Sequence, residues 1–309
     1  LAVRILSAIA LGFVLGFDMS AICKNWTQWL KETRFSALTE ELKAETIQWL
    51  DSVGTAVINM AQIQPNDTVL DIGCGTGLLS FKAIEILEKL NGEGKVIFSD
   101  KFPDCLETCK GFLNENPTTV NCEFLNASCE DLKLPEGSVD KAVMRSVLVH
   151  IVDKQSAINE IFRVLKTGGY FCAFEPIIRS NTRYSELLDP QYIENYHEFK
   201  DAEAKLMSDP NDSLCNFDDF TIKNNLVKAG FSSPSTMIHT IESKYTVTKE
   251  MVVPWFVSPP SPDRPSMKER FMTFFDEKKV DKYISDVQNY LTGREISLKT
   301  NSVLIYATK

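Results

Sequence analysis

The order of apolar segments predicts an α/β fold: a doubly wound, mostly parallel seven-stranded sheet with helices on both faces. Short apolar runs at 68–72, 95–99, 120–125, 139–144 and 169–174 read as strands, and amphipathic stretches near 77–90, 103–114 and 154–165 separate several of them. The segment VLDIGCGTG, residues 69–77, sets three glycines between a strand and a helix. The chain ends on SVLIYATK, an apolar run that reads as a closing strand.

Taken in order, the first seventeen residues, LAVRILSAIALGFVLGF, are apolar around a single Arg4. A membrane span needs about 20 such residues, so no stable span is expected. Residues 1–18 read as an apolar leader or as an over-extended start ahead of Met19. From 21 to 62 the pattern is helical, with Leu42, Trp49, Val53, Val57 and Met60 on one face. Pro65-Asn66-Asp67 turns the chain into the first strand. Lys166-Thr167-Gly168-Gly169 reads as a glycine cap ending one helix before a buried strand. After residue 175 the regularity breaks. Residues 176–216 hold an aromatic-rich stretch; a helix near 217–229 ends at Gly230, and a strand follows near 235–242. Residues 244–300 form a second excursion with the loop SPPSPDRP, whose four prolines forbid helix or central strand. The expected organisation is N-terminal helices at 19–65, a catalytic core at 66–243 that includes a cap segment at 176–216, a lid at 244–300, and a closing strand at 301–309.

Composition narrows the function. An apolar share of 44% and a charged share of 24% are those of an ordinary globular chain, which disfavours disorder. A net charge of −9 without a basic stripe argues against a broad nucleic-acid face. The eight cysteines form no C-x-x-C pair and the three histidines are far apart, so no metal site is expected. The thiols read as reduced and the chain as cytoplasmic.

The glycine segment carries the chemistry. A strand ending in Asp71, then Gly73, Gly75 and Gly77, then a helix, lets backbone amides approach a ligand closely. The helix N-terminus adds unpaired N–H groups and partial positive charge. The spacing is G-x-G-x-G; the dinucleotide fingerprint would need a glycine where Leu78 stands. Asp100, closing KVIFSD, is placed to accept hydrogen bonds from both ribose hydroxyls of an adenosine, although an aspartate there also suits a helix cap.

VLDIGCGTG, Asp100, ASCEDLKLPEGSVDKAVMRSVLVHI and INEIFRVLKTGGYFCAFEP together resemble the successive motifs of class I S-adenosylmethionine-dependent methyltransferases. Within that class the resemblance is to the broad group that includes the ubiquinone and menaquinone methyltransferases (methyltransferase type 11). It runs from about residue 40 to 242 and again over the last strand. It implies the Rossmann-like methyltransferase fold, S-adenosyl-L-methionine as cofactor, and methyl transfer to a small-molecule acceptor by in-line displacement. By position, Asp71, Gly73, Cys74, Gly75 and Gly77 would hold the methionine part. Asp100 would grip the ribose, with Lys101 and Phe102 on the adenine side. Related chains often carry an acid where this one has Ser128, followed by Cys129, which leaves the adenine edge to serine or backbone. Met144 and Arg145 occupy positions whose backbone commonly meets the methionine amino group.

His150 follows the fourth strand, on the side where open α/β sheets place their crevice. It is a candidate general base, because imidazole titrates near neutrality, and equally a packing histidine. Tyr184, Tyr192, Tyr196, Phe199, Trp255 and Phe256 are candidates to line an apolar acceptor pocket or to form the core of a cap; Tyr192, Tyr196 and Trp255 are taken as candidate substrate contacts. Rival readings are an NAD-dependent oxidoreductase, opposed by Leu78, a protein or RNA methyltransferase, opposed by the acidic charge, and a cofactor-binding protein without turnover.

Overall fold

The computed structural model describes residues 26–31 and 40–309; the predicted leader, 1–18, lies outside them. In chain order the elements are α1 (Trp26–Lys31), α2 (Glu40–Ala61), β1 (Thr68–Ile72), α3 (Leu78–Leu90), β2 (Lys95–Asp100), α4 (Pro103–Glu115), β3 (Asn121–Asn126) and β4 (Val139–Arg145). They continue as α5 (Lys154–Val164), β5 (Leu165–Pro176), α6 (Tyr196–Met207), α7 (Asp219–Ala229), β6 (Ser232–Thr246), α8 (Lys249–Val257), α9 (Met267–Phe271), α10 (Glu277–Leu291) and β7 (Glu295–Thr308). Short 3₁₀ turns fill 148–150, 178–180, 184–187 and 190–192.

All seven strands join one sheet in the order β3-β2-β1-β4-β5-β7-β6. β1 to β5 pair in parallel, and β7 runs antiparallel to β5. This is the predicted doubly wound, mostly parallel seven-stranded fold. The burial of the strands follows from their places. Central β2 is buried from Val96 to Asp100 without alternation, because a parallel strand covered on both faces has no wet side. Edge strand β3 shows no such continuous run. Helix ends are set by local chemistry: Asp153 accepts the Ser156 N–H at 3.0 Å to start α5, and Asp218 accepts the Thr221 N–H at 2.8 Å to start α7. Gly230, at φ 103°, ends α7 as expected.

Three elements differ from the sequence reading. The helical pattern over 21–62 is two described helices, α1 and α2. Gly168 does not cap α5: the helix ends at Val164, Leu165 is already extended, and Gly168 (φ +81) bends the chain within β5. Its N–H donates to the Lys309 carbonyl at 2.8 Å, so the turn is tied to the chain end instead of to the helix. β6 and β7 outrun the predicted strands, and residues 295–300, read as part of a lid, are strand.

The chain divides into two compact units, a core of 50–177, 217–239 and 302–309, and a second unit that includes 178–216 and 240–301. The second unit has its own apolar centre. Phe199 stacks on Tyr283 at 3.9 Å and 5°, and Phe271 meets Phe199 edge-on at 5.2 Å. Trp255, Phe256, Val280 and Val287 complete it. Beneath them the buried Glu203 carboxylate accepts the N–H groups of Tyr184 and Ser185 at 2.9 and 3.1 Å. No helix among the described residues is long and apolar enough to cross a membrane.

Two glycines give opposite expectations. A Cβ on Gly92 would fall 2.0 Å from the Pro65 carbonyl oxygen, whereas one on Gly111, in α4, meets nothing within 4 Å. Gly92→Ala is expected to lose about 1–3 kcal/mol through forced backbone movement. Gly111→Ala is expected to gain about 0.5–1 kcal/mol of helix stability. Urea unfolding of the two variants checks both signs.

Candidate functional site

The strand order reverses between β1 and β4, and open α/β sheets bind ligands outside the carboxyl ends of strands at such a point. The glycine segment follows β1 there, and residues 146–150 follow β4. Both belong to the core unit.

Gly73, Gly75 and Gly77 have φ of 65°, 53° and 88°, a region open to glycine and costly for other residues. Space forbids a side chain as well: a Cβ on Gly73 would stand 2.4 Å from Val147, and one on Gly77 2.4 Å from Phe81. Two acids hold this loop. Asp71 accepts the Ser80 N–H at 2.9 Å and the Ser80 hydroxyl at 2.6 Å through Oδ2, pinning the end of β1 to the first turns of α3. Asp100, only 6% exposed at the end of β2, accepts the Gly75 N–H at 2.9 Å on Oδ2 and the Phe102 N–H at 2.9 Å on Oδ1. Each carboxylate oxygen has more than one acceptor direction. Asp100 thus orders the loop and keeps capacity for hydroxyl donors.

The other residues expected at the cofactor site lie in the same unit. Cys74 is buried; its N–H donates to the Ser99 carbonyl at 2.9 Å. The Cys109 thiol, from α4, donates to the Gly75 carbonyl at 3.4 Å. Lys101 is exposed, its Nζ 4.7 Å from the half-buried Phe102 ring. Ser128 donates its hydroxyl to Glu130 at 2.7 Å, and Cys129 is buried. His150 is half-buried at the end of a 3₁₀ turn, its N–H donating to the Val147 carbonyl at 2.9 Å. Candidate substrate contacts fall in the second unit: Tyr196 and Trp255 are buried in its aromatic centre, and Tyr192 is 60% exposed against Tyr290.

Glu175 holds the segment after β4, and the sequence patterns do not single it out. Its carboxylate, wholly buried at the end of β5, accepts three consecutive N–H groups: Val147 at 2.8 Å, Leu148 at 3.0 Å and Val149 at 3.1 Å. It fixes the 3₁₀ turn that ends in His150. The available signal was an acid closing the apolar run YFCAF, where burial needs compensation.

The charges of this region are strained by burial. Desolvation pushes Asp71 up to about 7; its Ser80 hydrogen bonds and Arg145 oppose the rise, and Asp100 adds to it. Desolvation likewise pushes Glu175 up to about 7 against the pull of its three N–H donors and of Lys154. Arg145 is lowered by burial, with Asp71 and Glu175 resisting. Asp100 is raised, chiefly by desolvation.

This has a sign for stability. An acid raised in the folded state holds its proton where the unfolded chain has released it, so stability falls as pH rises from the ordinary 4.5 through about 7 for Glu175. Glu175→Gln has no proton to lose and is expected to make that fall shallower, by on the order of 2–4 kcal/mol across the window. Chemical unfolding of both proteins at pH 4.5 and pH 8 checks it; equal slopes would refute it.

Comparison with known proteins agrees with this geometry. A family profile described as a methyltransferase domain matches residues 63–250. A ubiquinone/menaquinone biosynthesis C-methyltransferase of Xanthomonas oryzae is 28% identical over 143 residues, 46% of this chain and 53% of that protein. An uncharacterized methyltransferase of Schizosaccharomyces pombe is 30% identical over 46% of this chain and 51% of its own length. The chain thus spans about half the length of the curated relatives it matches. Among solved structures, the YcgJ protein of Bacillus subtilis shares the fold with a TM-score of 0.52 and 18% identity, over 84% of this chain and 98% of that one. With the family profile covering most of the length and the glycine loop, Asp71 and Asp100 in place, the chain belongs to the methyltransferase domain family, of the class I, S-adenosylmethionine-dependent type.

Proposed function

We propose that the chain transfers a methyl group from S-adenosylmethionine to a small-molecule acceptor by in-line displacement. The observation that carries this is the Asp100 carboxylate, which orders the glycine loop through Gly75 and stands at the end of β2 with capacity for ribose hydroxyls. The cofactor, when bound, supplies a methyl group already activated by a positively charged sulfur.

The residues fit such a ligand. Backbone N–H groups of the loop at 73–77, beside the N-terminus of α3, suit the methionine part. Asp100 suits the ribose, and Lys101, Phe102, Ser128 and Cys129 the adenine side. Arg145 and the turn fixed by Glu175 suit the amino-acid end. With the donor held, the chain needs to align a nucleophile and remove a proton where the acceptor carries one. Positioning alone can supply on the order of 7–11 kcal/mol. His150 takes the proton role in this reading: Glu175 holds its turn, and imidazole accepts a proton near neutrality.

A small-molecule acceptor is favoured by the net charge of −9 and by the kind of relative matched, which by its name acts in quinone biosynthesis. Acceptor choice is assigned to residues 176–216 and 244–300, which hold Tyr192, Tyr196 and Trp255. The nicotinamide reading fits neither Leu78 nor the matched family.

Asp100→Ala is expected to weaken S-adenosylmethionine binding at least about tenfold, a cost of roughly 1.4 kcal/mol or more, while the chain stays folded. Titration calorimetry beside a circular dichroism spectrum measures it, and undiminished affinity would remove Asp100 from the site. A screen of acceptors with isotope-labelled cofactor and mass analysis of the products tests the reaction itself. On any acceptor so found, His150→Ala is expected to cut turnover by about 100-fold or more at saturating cofactor. Unaltered turnover would return His150 to a packing role.

A further inference from the structure

Lys154 is the first residue of α5 and only 4% exposed. Both facts run against a lysine's ordinary place. An ammonium in the first turn of a helix meets the positive end of its dipole, and a buried charge gives up its water. Specific partners hold it there. Its Nζ donates to the Ile151 carbonyl at 2.8 Å and stands 4.2 Å from the centre of the buried Phe217 ring. The Glu175 carboxylate lies within its electrostatic reach, and Lys154 draws that acid toward its charged form.

The segment between β4 and α5 is thus gripped at both ends. Glu175, from β5, takes the N–H groups of Val147, Leu148 and Val149. His150 and Ile151 donate their N–H groups inward, to the Val147 and Leu148 carbonyls at 2.9 and 3.0 Å. Lys154, from α5, closes the far end at the Ile151 carbonyl. The near end is strained. Ser146, which leads out of β4, has a φ of 56°, a conformation that a residue with a Cβ keeps only where its surroundings impose it. Val147, next in the chain, lies against the glycine loop: a Cβ on Gly73 would stand 2.4 Å from Val147 Cγ2. Any shift of the turn therefore changes the space beside Gly73.

We propose that Lys154 is a positioning residue for the methyl donor: together with Glu175 it clamps the turn 147–151 and keeps Val147 seated against Gly73. This rests on the reading that the loop at 73–77 receives S-adenosylmethionine. One charge comes from β5 and the opposite one from α5, and each holds an end of the segment that the other does not reach. A donor entering the loop then meets a wall already in place, and the cost of ordering that wall is not charged to binding.

The test is titration calorimetry of the full chain with S-adenosylmethionine, on wild type, Lys154→Met, Glu175→Gln and the double variant, each shown to be folded by circular dichroism. Lys154→Met keeps the length of the side chain and removes its charge. It is expected to weaken binding at least about tenfold, the scale of a lost charge-assisted hydrogen bond. In the Glu175→Gln background the same change is expected to cost less than about threefold, because two residues acting on one segment are not additive. A lysine that only packed against Phe217 would give equal losses in both backgrounds, and that result overturns the proposal. Amide hydrogen exchange supplies a second readout: protection at Val149, His150 and Ile151 should fall in Lys154→Met while that of β1 and β2 holds. Unchanged protection would overturn the clamp. Lys154→Gln, shorter and neutral, takes the place of Lys154→Met in the cycle if the latter does not fold. A wild type that fails to bind S-adenosylmethionine overturns the cofactor reading and this role with it. A wild type that binds, with Lys154→Met binding equally well, overturns the role alone.

Discussion

The carboxylate of Asp100 fixes the loop after β1 before any ligand arrives. It accepts one N–H from Gly75 and one from Phe102, so the segments that follow β1 and β2 share a single fixed point at the carboxyl ends of these strands. A loop with positive φ at Gly73, Gly75 and Gly77 would otherwise be the least ordered part of the core, because glycine has the most conformational freedom to lose. Asp71 completes the restraint from the other side by holding Ser80 in α3. The side chains of Val147 and Phe81 then fill the space a Cβ would need. Conformation requires glycine at all three positions, and packing requires it again at Gly73 and Gly77.

A second acid does for β4 and β5 what Asp100 does for β1 and β2. Glu175 gathers the N–H groups of Val147, Leu148 and Val149, which a short turn could not satisfy within itself. Burying a carboxylate is costly, and the rise of Glu175 and Asp71 to about 7 measures that cost. Arg145 lies within the influence of both and offsets part of it. Such an arrangement is weak as a source of stability, since removing water from three charges consumes most of their attraction. Its effect is better understood as preorganisation: the backbone of residues 147–149 is held in one conformation by a buried acceptor.

Much of this was legible in the sequence. The alternation of strands and helices, the glycine loop, Asp71 and Asp100 follow from patterns that depend on local geometry, where a tight turn between strand and helix admits few residue types. Glu175 was harder to read because its partners are 26–28 positions away and are backbone atoms, which leave no mark in residue identity. Gly168 misled for a related reason. A glycine after a helix usually caps it, but here the α5 ladder closes at Leu165 and the left-handed residue serves a turn tied to Lys309. The lengths of β6 and β7 were underestimated because pairing between distant segments, unlike helical periodicity, is not written in either segment alone.

The aromatic residues show where sequence reasoning stops. Tyr196, Phe199, Trp255 and Phe256 suit a ligand pocket and an apolar core equally well by type and spacing, and the structure places all four in the core of the second unit. That core is built from ring against ring, as in Phe199 on Tyr283, around the buried Glu203. Such packing tolerates change of residue so long as volume and shape are kept. The glycine loop has no such latitude, since its conformation depends on backbone torsions and on single hydrogen bonds. The two units therefore differ in what constrains them. The donor side is specified by geometry that residue type reveals, and the remainder by three-dimensional packing, which is why the methyl donor can be read from the chain and the acceptor must be found by experiment.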